Sequence, residues 1–154
     1  MLTFLPCEEK HQSILKKLTL EWLEKYVSIE PEDVEFMEHP KEYALDKGGF
    51  IYLVQYNNEI VATVSLFKVS DKKFELGKLA LTERYKGLKL GTQIMEFAID
   101  KAYKHKIEEL ILYTSKRLIA AHNLYLKFGF VEIPQENQKY IEAEVKMFLD
   151  LRNH

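Results

Sequence analysis

The stretch RYKGLKLGTQ (residues 84–93) holds two of the chain's six glycines and three cationic side chains, and an apolar helical pattern begins inside it. It is either a turn that starts a helix or a loop whose backbone N–H groups hold an anion. A helix N-terminus carries unpaired N–H groups and a partial positive charge. Successive amides ahead of it wrap phosphates. Gly87 and Gly91 would admit a ligand close to the backbone, and Lys86 and Lys89 add charge. Two nucleotide patterns are excluded. A phosphate loop of the NTPase type needs Lys-Ser/Thr after its second glycine, where this chain has Thr92 and Gln93. The dinucleotide fingerprint needs three glycines at set spacing. On composition alone, the basic turn and the anion cradle both stay open.

The flanks put the stretch between a strand and a helix. Upstream, FELGKLAL (74–81) is strand-like; downstream, Leu90, Ile94, Phe97, Ala98 and Ala102 share one face of a helix reaching to about residue 105. FIYLVQY (50–56), an NNE turn (57–59), IVATVSLFKV (60–69) and a polar SDKK turn lead into residues 74–81 as an antiparallel meander. Earlier, LTFLP (2–6) is a strand stopped by Pro6, and residues 8–28 form an amphipathic helix through Leu15, Leu18, Trp22 and Leu23. Pro31 and Pro40 suit the first turns of two short helices, which Gly48 and Gly49 then bring to an end. Later come a strand LILYT (110–114), a helix RLIAAHNLYLKFG (117–129) closed by Gly129, and strands FVEI (130–133) and AEVKMFLDL (143–151). Only residues 74–114 have the form of a parallel crossover. The expected fold is therefore α/β (α+β): a mixed, mostly antiparallel central sheet of about seven strands with helices on both faces. No linker or repeat breaks it, so residues 1–154 are expected to form one domain. In such sheets ligands favour a strand-to-helix turn of this kind.

Bulk properties remove several classes of function. A formal net charge of -2 provides no basic field for nucleic acid or an anionic membrane. The single cysteine, Cys7, excludes an intrachain disulfide and a Cys-rich metal centre, so no metal is expected; Cys7 itself reads as a small buried apolar residue. MLTFLPCEEKHQ has neither a basic start nor a long apolar run, and no stretch approaches the roughly 18 apolar residues of a membrane span. A cytoplasmic setting is the expectation.

Two motifs carry a family resemblance. The strand ending Leu79-Ala80-Leu81 is followed by Tyr85-Lys86-Gly87-Leu88-Lys89-Leu90-Gly91 and a helix, and Ala121-His122-Asn123-Leu124-Tyr125-Leu126-Lys127-Phe128-Gly129-Phe130 lies downstream. In this order, they resemble the GNAT acetyltransferase superfamily, well over residues 50–133 and in outline over the N-terminal helices. The second motif is nearly complete. In the first, Lys86 stands for an Arg or Gln, and Lys89 for the middle glycine, where a positive φ would be strained.

The resemblance implies acetyl-CoA as cosubstrate, bound where the strand before the glycine loop splays from the next parallel strand. Backbone groups of Leu79, Ala80 and Leu81 would meet the pantetheine arm, and Leu79 or Leu81 N–H would stabilise the thioester oxygen. The amides from Gly87 through Leu88, Lys89, Leu90 and Gly91 to Thr92, with Lys86, would take the pyrophosphate. It implies Tyr125 as general acid to the departing thiolate, against the plainer alternative of a core tyrosine. It implies Glu75 as base, against a solvated strand carboxylate, and Asn123 as a further cofactor contact. The acceptor is an amine: a small amine, an amino acid or a protein amine. The acidic residues between 30 and 42 either favour a cationic amine or form a solvated helical face, and Trp22, Tyr26, Phe36 and Tyr43 either line a pocket or cap the sheet. The family's habit of pairing implies a homodimer without fixing its interface. Two other classes compete with the enzyme: a non-catalytic acyl-CoA-binding module and a protein-interaction domain without ligand.

Overall fold

The computed structural model describes residues 1–135 and 143–152; the expected domain 1–154 also includes 136–142 and 153–154, which lie outside the described residues. Its elements are β1 (Leu2–Pro6), α1 (Gln12–Tyr26), α2 (Pro31–Glu38), α3 (Pro40–Tyr43), β2 (Phe50–Tyr56), β3 (Glu59–Lys68), β4 (Lys73–Leu81), α4 (Leu90–Lys104), β5 (Glu109–Thr114), α5 (Ile119–Lys127), β6 (Val131–Ile133) and β7 (Val145–Asp150). Short 3-10 turns precede α1, follow α3 and open the glycine stretch at Glu83–Tyr85. The strands form a seven-stranded sheet in the order β1-β2-β3-β4-β5-β7-β6. Only β4 and β5 run parallel; the other neighbours are antiparallel.

Local chemistry explains the boundaries. The β2–β3 hairpin turns through Asn57 and Asn58, at φ 51° and 62°, the two left-handed positions of a tight hairpin turn that asparagine tolerates. Pro31 and Pro40 both sit in the first turn of their helices. At α2 the Glu30 and Asp33 side chains cap reciprocally, each accepting from the other's backbone N–H. Residues 8–28 are not one helix: a 3-10 turn, Glu9–His11, comes first, and α1 ends at Tyr26. Gly129, at φ 95°, closes α5 as expected, with Gly129 N–H donating to Leu126 O and Phe130 N–H to Tyr125 O.

Both faces of the sheet are covered, so its central strands are apolar on both sides. Alternation sends Tyr52, Val54, Val64 and Leu66 into one core with Ile94, Met95 and Ala98 of α4, against which Leu124 of α5 and Phe128 just beyond it pack. Ile51, Leu53 and Phe67 enter the other, with Leu15 and Leu23 of α1 and Phe36 and Met37 of α2. Leu15, Phe36, Ile94 and Met95 have no exposed surface; truncating any of the four to alanine costs about 2–5 kcal/mol.

Two irregularities in β4 set up the site. In the pairing with β3, Ser65 lies opposite Gly77 but Thr63 opposite Ala80, so Lys78 and Leu79 together face Val64. That is a β-bulge, and Lys78 takes the extra turn at φ 50°. On its other edge β4 pairs with β5 only from Lys73↔Glu109 to Glu75↔Ile111. Beyond Glu75 the strands part, while β5 stays paired with β7 as far as Thr114↔Val145.

Candidate active site

A cavity opens where β4 and β5 part. One wall is β4 from Glu75 to Ala80, the facing wall is β5 with Tyr113 and Ser115, α5 supplies Ala121 and Tyr125, and α1 with the start of α2 closes the far side with Trp22, Leu23, Glu30 and Asp33. The structure thus brings Glu75, Leu79, Ala80 and Tyr125 together from separate segments. Asn123 is exposed on α5 and is not part of these walls.

Tyr125 projects from α5 into the cavity and packs edge-on against Phe130, ring centroids 6.1 Å apart. Desolvation pushes its hydroxyl up to about 12, so it carries its proton at any working pH. Glu75 is 3% exposed, not a solvated strand carboxylate. Its carboxylate leans along the strand over Gly77, where an added Cβ would stand 3.4 Å from Oε2. Thr82 N–H donates to Val61 O. Alternation along the strand therefore turns the amides of Leu81 and Leu79 towards the side that β5 has left.

The glycine stretch follows. Gly87 has φ 88° and nothing within 4 Å of the place a Cβ would occupy. Lys89 occupies the left-handed region, φ 59° and ψ 24°, as the N-cap of α4. Gly91 lies in the first turn, and a Cβ there would touch only Leu124 Cδ2, at 3.5 Å. The packing of the chain therefore does not demand glycine at 91, and the first-turn amides of α4 have no partner within the helix. Lys86 is drawn the other way. Its N–H donates to Glu83 O, and its ammonium is 2.9 Å from the Glu83 carboxylate and 3.9 Å from the Tyr26 ring centroid.

Glu83 and Glu21 tie α1 to this loop. Glu83 accepts from Tyr26 OH at 2.9 Å and pairs with Lys25 and Lys86. Those bonds, from Lys25 first, hold its carboxyl down at about 2. Glu21 Oε1 accepts from Thr82 Oγ1 at 2.9 Å and from Glu83 N–H at 3.1 Å. Glu21 is thus a strut from α1 to the loop.

Sequence reasoning missed an ion pair on the helix side. Lys78 bonds Asp33, their side chains 11% and 5% exposed, and its ammonium lies 5.9 Å from the Phe36 ring centroid. In a regular strand residues 75 and 78 face opposite ways; the bulge turns Lys78 onto the face of Glu75. The signal was present in the mid-strand Gly77, which marks a bulge. Phe36 and Tyr43 pack with Phe67 in the helix-side core, ring centroids 5.4–5.9 Å apart. Burial, with Glu32 and Glu75 nearby, pushes the Tyr43 hydroxyl above its ordinary value. Cys7 is buried, its thiol raised to about 11 by desolvation. Among the described residues no helix is long and apolar enough to cross a membrane.

A sheet split at a parallel pair, with a bulge in the first of the two strands and a glycine-led helix after it, is a fold shared with known acetyltransferases. Over 99% of this chain it superposes on a GNAT-family acetyltransferase from Staphylococcus aureus Mu50, covering 100% of that chain, with a TM-score of 0.87 at 21% identity. It superposes similarly on the spermidine N-acetyltransferase of Vibrio cholerae in complex with CoA and spermine, over 97% of this chain and 95% of that one, TM-score 0.74 at 14% identity. In sequence, 66 residues (43% of this chain, 38% of the other) are 32% identical to N-alpha-acetyltransferase 30 of Saccharomyces cerevisiae. The chain spans less than half the length of the curated relatives it matches. Residues 14–130 match the acetyltransferase (GNAT) family, and the chain belongs to that family.

Proposed function

We propose that the protein is an N-acetyltransferase that moves the acetyl group of acetyl-CoA to a primary amine by direct attack. The observation that carries this is the convergence of a protonated, desolvated Tyr125 and a buried Glu75 on one cavity at the β4–β5 split. The chain fits the cosubstrate: the amides of Leu79 and Leu81 face the split, and open space stands at Gly87 where a side chain would be. Acetyl-CoA, when bound, supplies the thioester. The amides of Gly87 to Thr92 hold its pyrophosphate, with Lys86 kept back by Glu83. Glu75 takes a proton from the acceptor ammonium, because an ammonium has no lone pair with which to attack. The amine nitrogen then bonds the acyl carbon as the carbon–sulfur bond breaks, and the second proton that the nitrogen sheds on becoming an amide balances the one Tyr125 gives up. Leu79 or Leu81 N–H stabilises the charge that gathers on the acyl oxygen, and the Tyr125 hydroxyl gives its proton to the departing sulfur.

The test is release of free CoA thiol across a panel of amines, with wild type beside Tyr125→Phe. Wild type turns over at least one amine, and Tyr125→Phe lowers kcat about 10²-fold or more. Unchanged kcat in the variant removes Tyr125 from the mechanism. Acetyl-CoA binding without turnover of any amine leaves a non-catalytic acyl-CoA-binding module.

A further inference from the structure

The end of α1 forms part of the cavity. The helix and the two residues after it give the wall Thr19, Trp22, Leu23, Val27 and Ser28. The helix stops at Tyr26 without the left-handed glycine that closes many helices; Val27 follows in an extended conformation, φ -144°. Two ties from elsewhere in the chain hold this end. Arg117, in the segment after β5, donates to Tyr26 O at 3.2 Å. Lys86, in the segment after β4, reaches back to the same residue: its ammonium bonds the Tyr26 hydroxyl and lies 3.9 Å from the ring centroid. Glu83 completes this second tie. It is 2.9 Å from both the Lys86 ammonium and the Tyr26 hydroxyl, and Lys25 is its third partner. Two cations beside the last helical turn also suit the negative end of the helix dipole. The Tyr26 ring lies 5.7 Å from that of Trp22, which lines the cavity.

We infer that Lys86 is a positioning residue for the acceptor wall and not a phosphate ligand: through Tyr26 it holds the last turn of α1, and Trp22 with it, against the loop that follows β4. The inference rests on reading the cavity as the site of the acceptor amine. The side chain that the glycine motif would assign to the pyrophosphate thus works on the other substrate. Its ammonium touches Glu83, the Tyr26 hydroxyl and the Tyr26 ring, and a move to a phosphate would forfeit all three. An isolated exposed ion pair is worth little, but Glu83 is shared by two lysines and a hydroxyl, and a network holds a geometry that one pair does not.

The experiment compares wild type with Lys86→Met, Glu83→Gln and Lys86→Arg in the full chain. Acrylamide quenching of Trp22, the chain's sole tryptophan, reads the order of the wall without any turnover. Calorimetry reads acetyl-CoA affinity, and thiol release across an amine panel gives kcat and KM. Lys86→Met and Glu83→Gln are each expected to raise the quenching constant about twofold. Each raises KM for the amine about fivefold with little change in kcat, and acetyl-CoA affinity stays at the wild-type value. Lys86→Arg, which keeps the charge and the contact with the ring, stays at wild type in all three measurements. Acetyl-CoA affinity that falls about tenfold in Lys86→Met and rises in Glu83→Gln overturns the inference, because Lys86 is then a phosphate ligand that Glu83 restrains. Quenching that is unchanged in both variants also overturns it, as does an unchanged KM in both. If Lys86→Met does not fold, Glu83→Gln and Lys86→Arg decide. Raised quenching with no turnover of any amine sinks the proposed function and leaves Lys86 as the tie to α1; turnover by wild type with quenching and KM unmoved in both variants does the reverse.

Discussion

Two lysines, one in β4 and one at the start of α4, hold the same backbone conformation for different reasons. Lys78, on the lip of β4, has φ 50°; Lys89, at the start of α4, has φ 59°. A non-glycine residue in this region costs about 1–2 kcal/mol. At Lys78 that cost is offset by what the side chain does: it carries the buried pair with Asp33 that fastens the strand to α2. Lys89 caps α4 with no side-chain hydrogen bond of its own to the helix. It holds a left-handed angle at the place where the GNAT motif carries glycine. The same angle is therefore set by the side chain on the acceptor side and by the backbone on the cosubstrate side.

Substituting glycine at each position separates the two causes. Lys78→Gly relieves the backbone but strands the Asp33 carboxylate, and breaking one partner of a buried pair costs about 3–5 kcal/mol. The net expectation is a loss of about 2–3 kcal/mol, seen as a thermal midpoint lower by roughly 5–10 °C. A midpoint equal to wild type would show that the pair does not fasten β4 to α2.

On the other side, the largest effect should fall on ligand and not on stability. Gly91→Glu places bulk and negative charge beside the first-turn amides, while its Cβ meets only Leu124 at 3.5 Å. Acetyl-CoA affinity by calorimetry should fall about 10²-fold, near 2.7 kcal/mol, with little change in midpoint. Undiminished affinity would move the pyrophosphate away from this loop.

The proposed cosubstrate side was the legible half. Its determinants are backbone: glycines, a strand-to-helix turn and a helix stop at Gly129, all of which leave compositional marks in sequence. That Tyr125 and Glu75 line one cavity was legible through motif placement and strand register. The acceptor side was not, because it is built by contact between distant segments. Asp33 and Lys78, for one, are 45 residues apart. Acidic residues along α2 read as a solvated face or a cation site, yet Asp33 is 4% exposed and committed to a lysine. The bulge that brings the two together moves Lys78 across the sheet, and simple alternation puts it on the wrong face. Gly77 was the one local clue.

Lys89→Gly is the counterpart of the Lys78 experiment and should have the opposite sign. It removes about 1–2 kcal/mol of backbone cost and returns part of that through the freer unfolded chain of glycine. A gain of about 1 kcal/mol, or roughly 2–4 °C, is expected. A fall in midpoint would mean that the Lys89 side chain, like that of Lys78, stabilises the angle it occupies.

The last effect concerns the proposed acid. The Tyr125 hydroxyl is raised to about 12 by desolvation, against an ordinary value of 10.0. The folded chain keeps a proton that the unfolded chain sheds once pH passes about 10. The stability this contributes is whole below that value and is lost as pH climbs towards 12. Tyr43, also raised, adds a like contribution in both proteins, so only the difference between them is informative. Denaturant unfolding from pH 9 to 12 should therefore show stability falling more steeply in wild type than in Tyr125→Phe, by the slope of up to one proton. Parallel curves would place the hydroxyl in water, not in the dry cleft. A tyrosine in water ionises near its ordinary value, and the contrast between a desolvated cosubstrate side and an ion-paired acceptor side would then fail at the residue where the two meet.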